Sequence, residues 1–196
     1  MARKVQISKE VILKAALELL IDEGFSSINI KTLSDKIGCS TQPLVWHFGN
    51  MEGLRNALAK YALDYANDKM RPKGENPVDA FEQVGRAFVS IAVDEPNLYR
   101  FLYIEGYNGC TLRSPDAMLM DKGNSELIKD IASYMNISEE GAGRYLQSTI
   151  IFSNGIATLV ATGAMKATVE EMMELINRAA DAFLLQEGAL VKEELK

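Results

Sequence analysis

The sequence predicts an all-α protein of about nine helices, on three observations. Apolar residues recur at spacings of three and four along most of the chain, as helices with one buried face require. No region shows the alternating, β-branched pattern of a strand. Capping residues, glycines and prolines stand between the apolar stripes, where helices start and stop. The stripes sort into an N-terminal three-helix domain over residues 1–50, a connecting helix over 51–72 and a larger helical bundle over 73–196.

Ser8 is placed to cap the first helix, with Ile7 and Ile12 as a hydrophobic staple across the cap. Ile12, Leu13, Ala16, Leu17, Leu19 and Leu20 form its stripe, and Gly24 ends it. Residues 29–48 then read as a helix-turn-helix. Leu33 and Ile37, four apart, share a face of the first short helix, and Gly38 follows where a left-handed residue closes a C-terminus. Cys39 fills the bend, and Ser40 is expected to cap the second short helix. Leu44 and Phe48 turn that helix onto the first. Pro43 is tolerated, because the first turn of a helix lacks acceptors for its N–H groups. The exposed polar start of the second helix fits a DNA-binding motif.

A helix from Asn50 carries Leu54, Leu58, Tyr61 and Tyr65, and Arg71-Pro72-Lys73-Gly74 interrupts the pattern. Asn76-Pro77 opens the next helix, with Phe81, Val84, Phe88 and Ile91 as its stripe up to Asp94-Glu95-Pro96. A short aromatic helix follows. Residues 106–124 predict a loop and a partial helix, and a firm helix runs through Leu127, Ile128, Ile131 and Met135. Ser138 opens a long helix to about Gly163, and the capping box Thr168–Glu171 opens the last.

Composition narrows the function. The chain has 47% hydrophobic and 24% charged residues, as a soluble globular protein has. It shows no apolar run long enough to span a bilayer and no secretory signal, so a cytoplasmic, membrane-free protein is expected. The two cysteines, Cys39 and Cys110, are expected to be reduced. The net charge is −6, unevenly spread. Residues 1–62 carry eight Lys/Arg and six Asp/Glu, whereas 63–196 carry thirteen and twenty-one. A mildly basic head on an acidic body is compatible with DNA binding by the head. No Ser/His/Asp set, metal-ligand cluster or phosphate loop appears, so no catalytic residue, metal or cofactor is expected.

The run VILKAALELLIDEGFSSINIKTLSDKIGCSTQPLVWHFGNMEGLRNAL, Val11 to Leu58, resembles the TetR family of bacterial transcriptional regulators. Its marks are a helix ending Asp22-Glu23-Gly24-Phe25, a short helix ending in glycine, and L-x-W-H-F before a capped helix. Two C-terminal runs, NPVDAFEQVGRAFVSIAVDEPNLYRFLYIEG and IFSNGIATLVATG, look like the C-terminal domain of one branch of that family, which often has His-Gly where Asn154-Gly155 stand. The resemblance implies a homodimer with one recognition helix per subunit on a palindromic operator, and a C-terminal domain for ligand binding and dimerisation. Two positions depart from it. Val45 replaces a usual phosphate-contacting tyrosine, and Met51 a common lysine. Each missing phosphate contact lowers the log–log salt slope by about 0.9 per subunit.

Within the motif, Thr41 and Gln42 are the candidates for base contact. Gln pairs with adenine through two hydrogen bonds, and Thr touches a thymine methyl. Ser40 lies beside them, and Lys31 opens the preceding helix where lysine and helix dipole both favour phosphate. Trp46 either reaches the DNA backbone or covers the helix junction. His47, the one histidine, reads as a partly buried ring bonded to backbone or phosphate. A small apolar or amphipathic ligand is expected among Phe81, Phe88, Tyr99, Tyr103, Met118 and Phe152, with Phe101 and Met120 as further candidates; each also reads as ordinary core. A dimer interface is expected from Phe152, Ile156, Leu159 and Val160 with Met173, Ile176 and Phe183, and intrachain core competes for about half of these. The leading reading is a ligand-responsive regulator, most simply a repressor that leaves its operator when ligand binds. The alternative is a helical ligand- or protein-binding module that keeps the fold with weak or no DNA binding.

Overall fold

The computed structural model describes residues 7–73, 77–106 and 122–188. Among them are nine α-helices and no strand: α1 (Lys9–Glu23), α2 (Ile30–Ile37), α3 (Gln42–Phe48), α4 (Met51–Met70), α5 (Pro77–Asp94), α6 (Pro96–Tyr99), α7 (Lys122–Met135), α8 (Glu139–Ala161) and α9 (Val169–Gln186). A 3-10 turn at Phe25–Ser27 follows α1, and a π-helical turn at Arg100–Ile104 continues α6. The expected Asn76 cap, and most of the expected loop with its Met118 and Met120, lie outside the described residues. Contacts group the described chain into two compact units, residues 7–69 with 94–106, and residues 70–93 with 122–188.

In the first unit, Ser8 accepts a hydrogen bond from the Val11 N–H at 3.3 Å and so caps α1. Ile12, Ala16 and Leu20 are fully buried on one face. At the other end Asn97 Nδ2 donates to the Ile21 carbonyl at 2.9 Å, satisfying one of the acceptors a helix C-terminus leaves open. Tyr99, Phe101 and Leu102 are buried beside it. Phe101 stacks on Phe25 with ring centroids 5.1 Å apart, and the Arg55 guanidinium lies 4.7 Å from the Phe25 ring.

Helix α2 starts on a capping box that the sequence reading overlooked. Asn29 Oδ1 accepts from the N–H groups of Lys31 and Thr32, both at 3.0 Å, and Thr32 Oγ1 accepts from the Asn29 N–H. Gly38 ends it in the left-handed region (φ 74°, ψ 36°), and the Cys39 N–H reaches back to the Ser34 carbonyl. The expected Ser40 cap is not formed. Thr41 stands at the N-cap of α3 with helical φ and ψ, and no side chain accepts there. The chain is already turning at Thr41, so Ser40 is one residue too early to reach the orphan N–H groups. Pro43 falls in the first turn, where it removes no hydrogen bond.

Asn50 caps α4 by accepting from the Gly53 N–H at 2.9 Å. Gly53 is there for lack of a side chain. A Cβ at this position would lie 2.1 Å from the Phe48 carbonyl oxygen, the last residue of α3. Further along α4, Glu95 Oε1 accepts from the Tyr65 hydroxyl at 2.8 Å and from Lys69 Nζ at 2.6 Å. Burial works against the Lys69 charge, and the Glu95 and Tyr65 hydrogen bonds outweigh it, leaving its pKa above the ordinary lysine value.

In the second unit, α7 packs on α8 and α8 on α9. Ser138 caps α8, and Thr168 with Glu171 closes the expected box on α9. Arg144 forks onto Glu187 (Nε–Oε1 3.0 Å, Nη2–Oε2 2.5 Å), tying the start of α8 to the residue that follows α9. Ile131, Ala142, Tyr145 and Leu146 form the core of this unit, with Phe81, Leu127 and Ile128 packed against it.

Replacing Gly53 by alanine forces its methyl into the Phe48 carbonyl. The expected cost is about 1–3 kcal/mol, of the size found for overpacking, read as a lower urea midpoint with an unchanged slope. An unaltered midpoint would mean that α3 and α4 do not meet as closely as described.

Candidate functional site

Two features of the fold can act on other molecules, the outer face of α3 and a cavity in the second unit. Helix α3 buries Leu44, which is 2% exposed, against the core that also takes Leu33. That burial turns the opposite face outward. Ser40, Thr41 and Gln42 are exposed at its start, and Val45 and Trp46 continue the face with 47% and 69% of their surfaces accessible. Val45 lies four residues after Thr41 and three after Gln42, so the three share one side of the helix. The sequence reading treated Val45 only as a lost contact. Its position makes its methyl groups a further candidate for apolar contact with a thymine methyl.

His47 is half-buried, and its Nε2 bonds the Ile7 carbonyl at 2.9 Å, just before the Ser8 cap. The ring therefore fixes α3 to the start of α1, and packs against Trp46 edge-on with centroids 4.5 Å apart. Lys31 is exposed on the first turn of α2. Its N–H is already taken by Asn29, so an anion there would meet the ammonium group of its side chain. Two other lysines of this domain have partners. Lys36 pairs with Glu18 at 3.3 Å, and Lys9 lies 5.6 Å from the Phe48 ring. Met51 is half-buried.

The cavity encloses about 440 Å³, within the range of small-molecule sites. Phe81, Val84, Gly85 and Phe88 line it from α5, and Met70, Met135, Met173, Ile176 and Leu184 add apolar surface. Tyr145, Thr149, Ser153 and Asn154 present polar groups from α8, and Asn177 and Asp181 from α9. Burial raises the Tyr145 hydroxyl above its ordinary pKa, the Thr149 hydroxyl beside it pulls the other way, and Asp181 adds to the rise. Ser153 donates to the Thr149 carbonyl at 2.7 Å. The Thr149 hydroxyl is buried beside Tyr145.

Of the expected ligand residues, Phe81 and Phe88 line this cavity. Tyr99 is wholly buried in the first unit, and Tyr103, its ring 5.1 Å from that of Tyr99, belongs there too. Phe152 packs edge-on against Phe183 at 6.3 Å and does not line the cavity. Met118 lies outside the described residues. Of the expected dimer residues, Ile156, Met173 and Ile176 are interior, and the last two face the cavity. Phe152, Val160 and Phe183 are half-buried, and Leu159 is exposed. The apolar groups that remain on the surface of α8 and α9 are Ile151, Leu159, Leu175 and Leu185. Ile151 and Leu159 lie eight apart, on one side of α8 with Gly155 between them.

Among the described residues, no group of three or more His, Cys, Asp or Glu side chains is placed to hold a metal ion, and no helix is long and apolar enough to cross a membrane. Cys39 is a free, half-buried thiol, and Cys110 lies outside the described residues.

Helices α2 and α3, joined by a left-handed glycine turn with the polar start of α3 open to solvent, form a helix-turn-helix. Residues 12–58 match the family model described as bacterial regulatory proteins, tetR family. The chain is 29% identical over 76 residues to the class C tetracycline repressor protein of Escherichia coli, covering 39% of this chain and 35% of that one. It is 33% identical over 67 residues to the class D protein of the same organism, covering 34% and 31%. These matches span about a third of the relatives' own lengths. The fold extends further. A TetR-like transcriptional regulator from Rhodococcus sp. RHA1 superposes with a TM-score of 0.61 at 16% identity, over 92% of this chain and 96% of that one. TetR from Acinetobacter baumannii AYE does so with 0.60 at 19%, over the same shares.

Proposed function

We propose that the protein is a ligand-responsive transcriptional regulator that binds a palindromic DNA operator as a homodimer, acts as a repressor and works in the cytoplasm. The observation that carries this reading is the exposed start of α3, where Ser40, Thr41, Gln42, Val45 and Trp46 form one outward face on a helix fixed from behind by Leu44 and His47. Thr41 and Gln42 read base edges, and Val45 offers apolar contact. Lys31 and Trp46 meet the backbone, which positions the helix without carrying sequence. No catalytic role is assigned to any residue.

Residues 7–50 serve as the DNA-binding domain, α4 as the connecting helix, and the cavity-bearing unit as the ligand-binding and dimerising part. The exposed Ile151, Leu159, Leu175 and Leu185 supply a two-fold interface from α8 and α9. Small-molecule control is supported by the cavity and by one neighbour of the same fold, a TetR variant from Acinetobacter baumannii AYE solved in complex with minocycline (TM-score 0.57, 17% identity). Ligand binding works by favouring one of two states, and DNA favours the other.

Selection from a random pool of duplexes tests the reading. Enriched sites should be palindromes whose half-sites are about one helical turn apart, roughly 34–36 Å. Equal binding to all duplexes would contradict it. Gln42→Ala should relax preference at one position per half-site, worth about 1–3 kcal/mol. Leu159→Glu should shift the protein from dimer to monomer in sedimentation.

A second reading, a module with weak or no DNA binding, is favoured by the lack of a phosphate-contacting group at Val45 and Met51 and by the pairing of Lys36 with Glu18. A salt titration separates the two. The regulator binds its selected site with a measurable slope, and Met51→Lys steepens it by about 0.9 per subunit. The module shows negligible binding even at about 50 mM salt.

A further inference from the structure

The cavity carries a charge pattern that the regulatory reading does not use. Glu82 and Asp181 line it, and among the described residues no lysine, arginine or histidine does. Both carboxylates are exposed, so they stand on its solvent side. Arg86, one turn from Glu82 on α5, is not in the wall, and its guanidinium pairs with Glu170 at 3.5 Å. Deeper in are three aromatic rings, Phe81, Phe88 and Tyr145, the first and last with centroids 6.3 Å apart. Ring faces attract cations, and they do so more strongly where water is excluded. Thr149, 4% exposed, adds a hydroxyl to the wall.

Charge and shape agree. An anion entering here would meet two carboxylates and, among the described residues, no compensating base. A strongly hydrated ammonium ion would be poorly matched to walls that are mostly apolar. A bulky cation whose charge is spread over an aromatic system or shielded by alkyl groups meets both requirements. The surroundings add to this, since residues 63–196 carry thirteen basic against twenty-one acidic side chains. Gly85 sets the width, because a Cβ there would meet nothing within 4 Å.

We propose that the ligand of this cavity is an aromatic organic cation, held against the rings of Phe81, Phe88 and Tyr145 with Glu82 and Asp181 balancing its charge. The proposal rests on the reading of the cavity as the ligand site and adds the chemical class of its occupant.

Three fluorescent probes of similar size test it on the full-length, DNA-free protein: ethidium (cationic), N-phenyl-1-naphthylamine (neutral) and 8-anilinonaphthalene-1-sulfonate (anionic). Ethidium should bind at least about tenfold more tightly than the sulfonate, a difference of about 1.4 kcal/mol. The double variant Glu82→Gln/Asp181→Asn should lose about tenfold in ethidium affinity and hold the neutral probe within about twofold. Gly85→Trp, which fills the cavity from an open position, should abolish binding of both. The proposal is overturned if ethidium binds no better than the sulfonate, if the double variant keeps its ethidium affinity, or if ethidium binding survives Gly85→Trp. In those cases, binding of the neutral probe that Gly85→Trp abolishes would leave the ligand site standing. Binding of none of the three probes would remove the ligand site and the proposal together.

Discussion

Helix α3 has seven residues, and a helix of that length has no stability of its own in water. Everything proposed for the DNA-facing side depends on the contacts that hold it in place. Leu44 is buried behind it, the His47 ring bonds the Ile7 carbonyl, and the Phe48 carbonyl rests against Gly53 of α4. Its own cap contributes nothing, because Thr41 makes no side-chain bond to the first turn. Helix α3 is thus a product of tertiary packing. Its outward residues are free of structural duty for that reason.

Helix α4 spans twenty residues, about 30 Å at 1.5 Å per residue. Gly53 at its start meets the end of α3. Near its other end, Lys69 and Tyr65 are both fixed on Glu95, a carboxylate that is 9% exposed.

The parts of this architecture that were legible in the sequence are those set by local chemistry. The Ser8, Ser138 and Thr168 caps and the left-handed Gly38 all stand where side-chain type and spacing put them. Tyr99 misled because an aromatic residue in a helical stripe looks the same in a core as in a cavity wall, and only tertiary contacts separate the two. On α8 and α9 apolar residues cover much of the circumference. A change of one position turns the face by about 100°, which is the difference between interior Ile156 and the surface stripe of Ile151 and Leu159. Gly53 gave no warning, since its constraint comes from a carbonyl in another helix. The charge pattern of the cavity was equally hidden, because Glu82 and Asp181 lie 99 positions apart and meet only in the fold.

Amide hydrogen exchange in the DNA-free protein tests most directly whether α3 is presented ready-formed. The Val45 and Gly49 N–H groups, bonded to the Thr41 and Val45 carbonyls at 3.2 and 2.8 Å, should exchange only with unfolding of the whole N-terminal unit. Their opening free energies should then match those of buried α1 and α4 amides. Exchange of α3 near the rate of an unprotected loop, with α1 and α4 still protected, would contradict the account and make the recognition helix a segment that forms only on DNA.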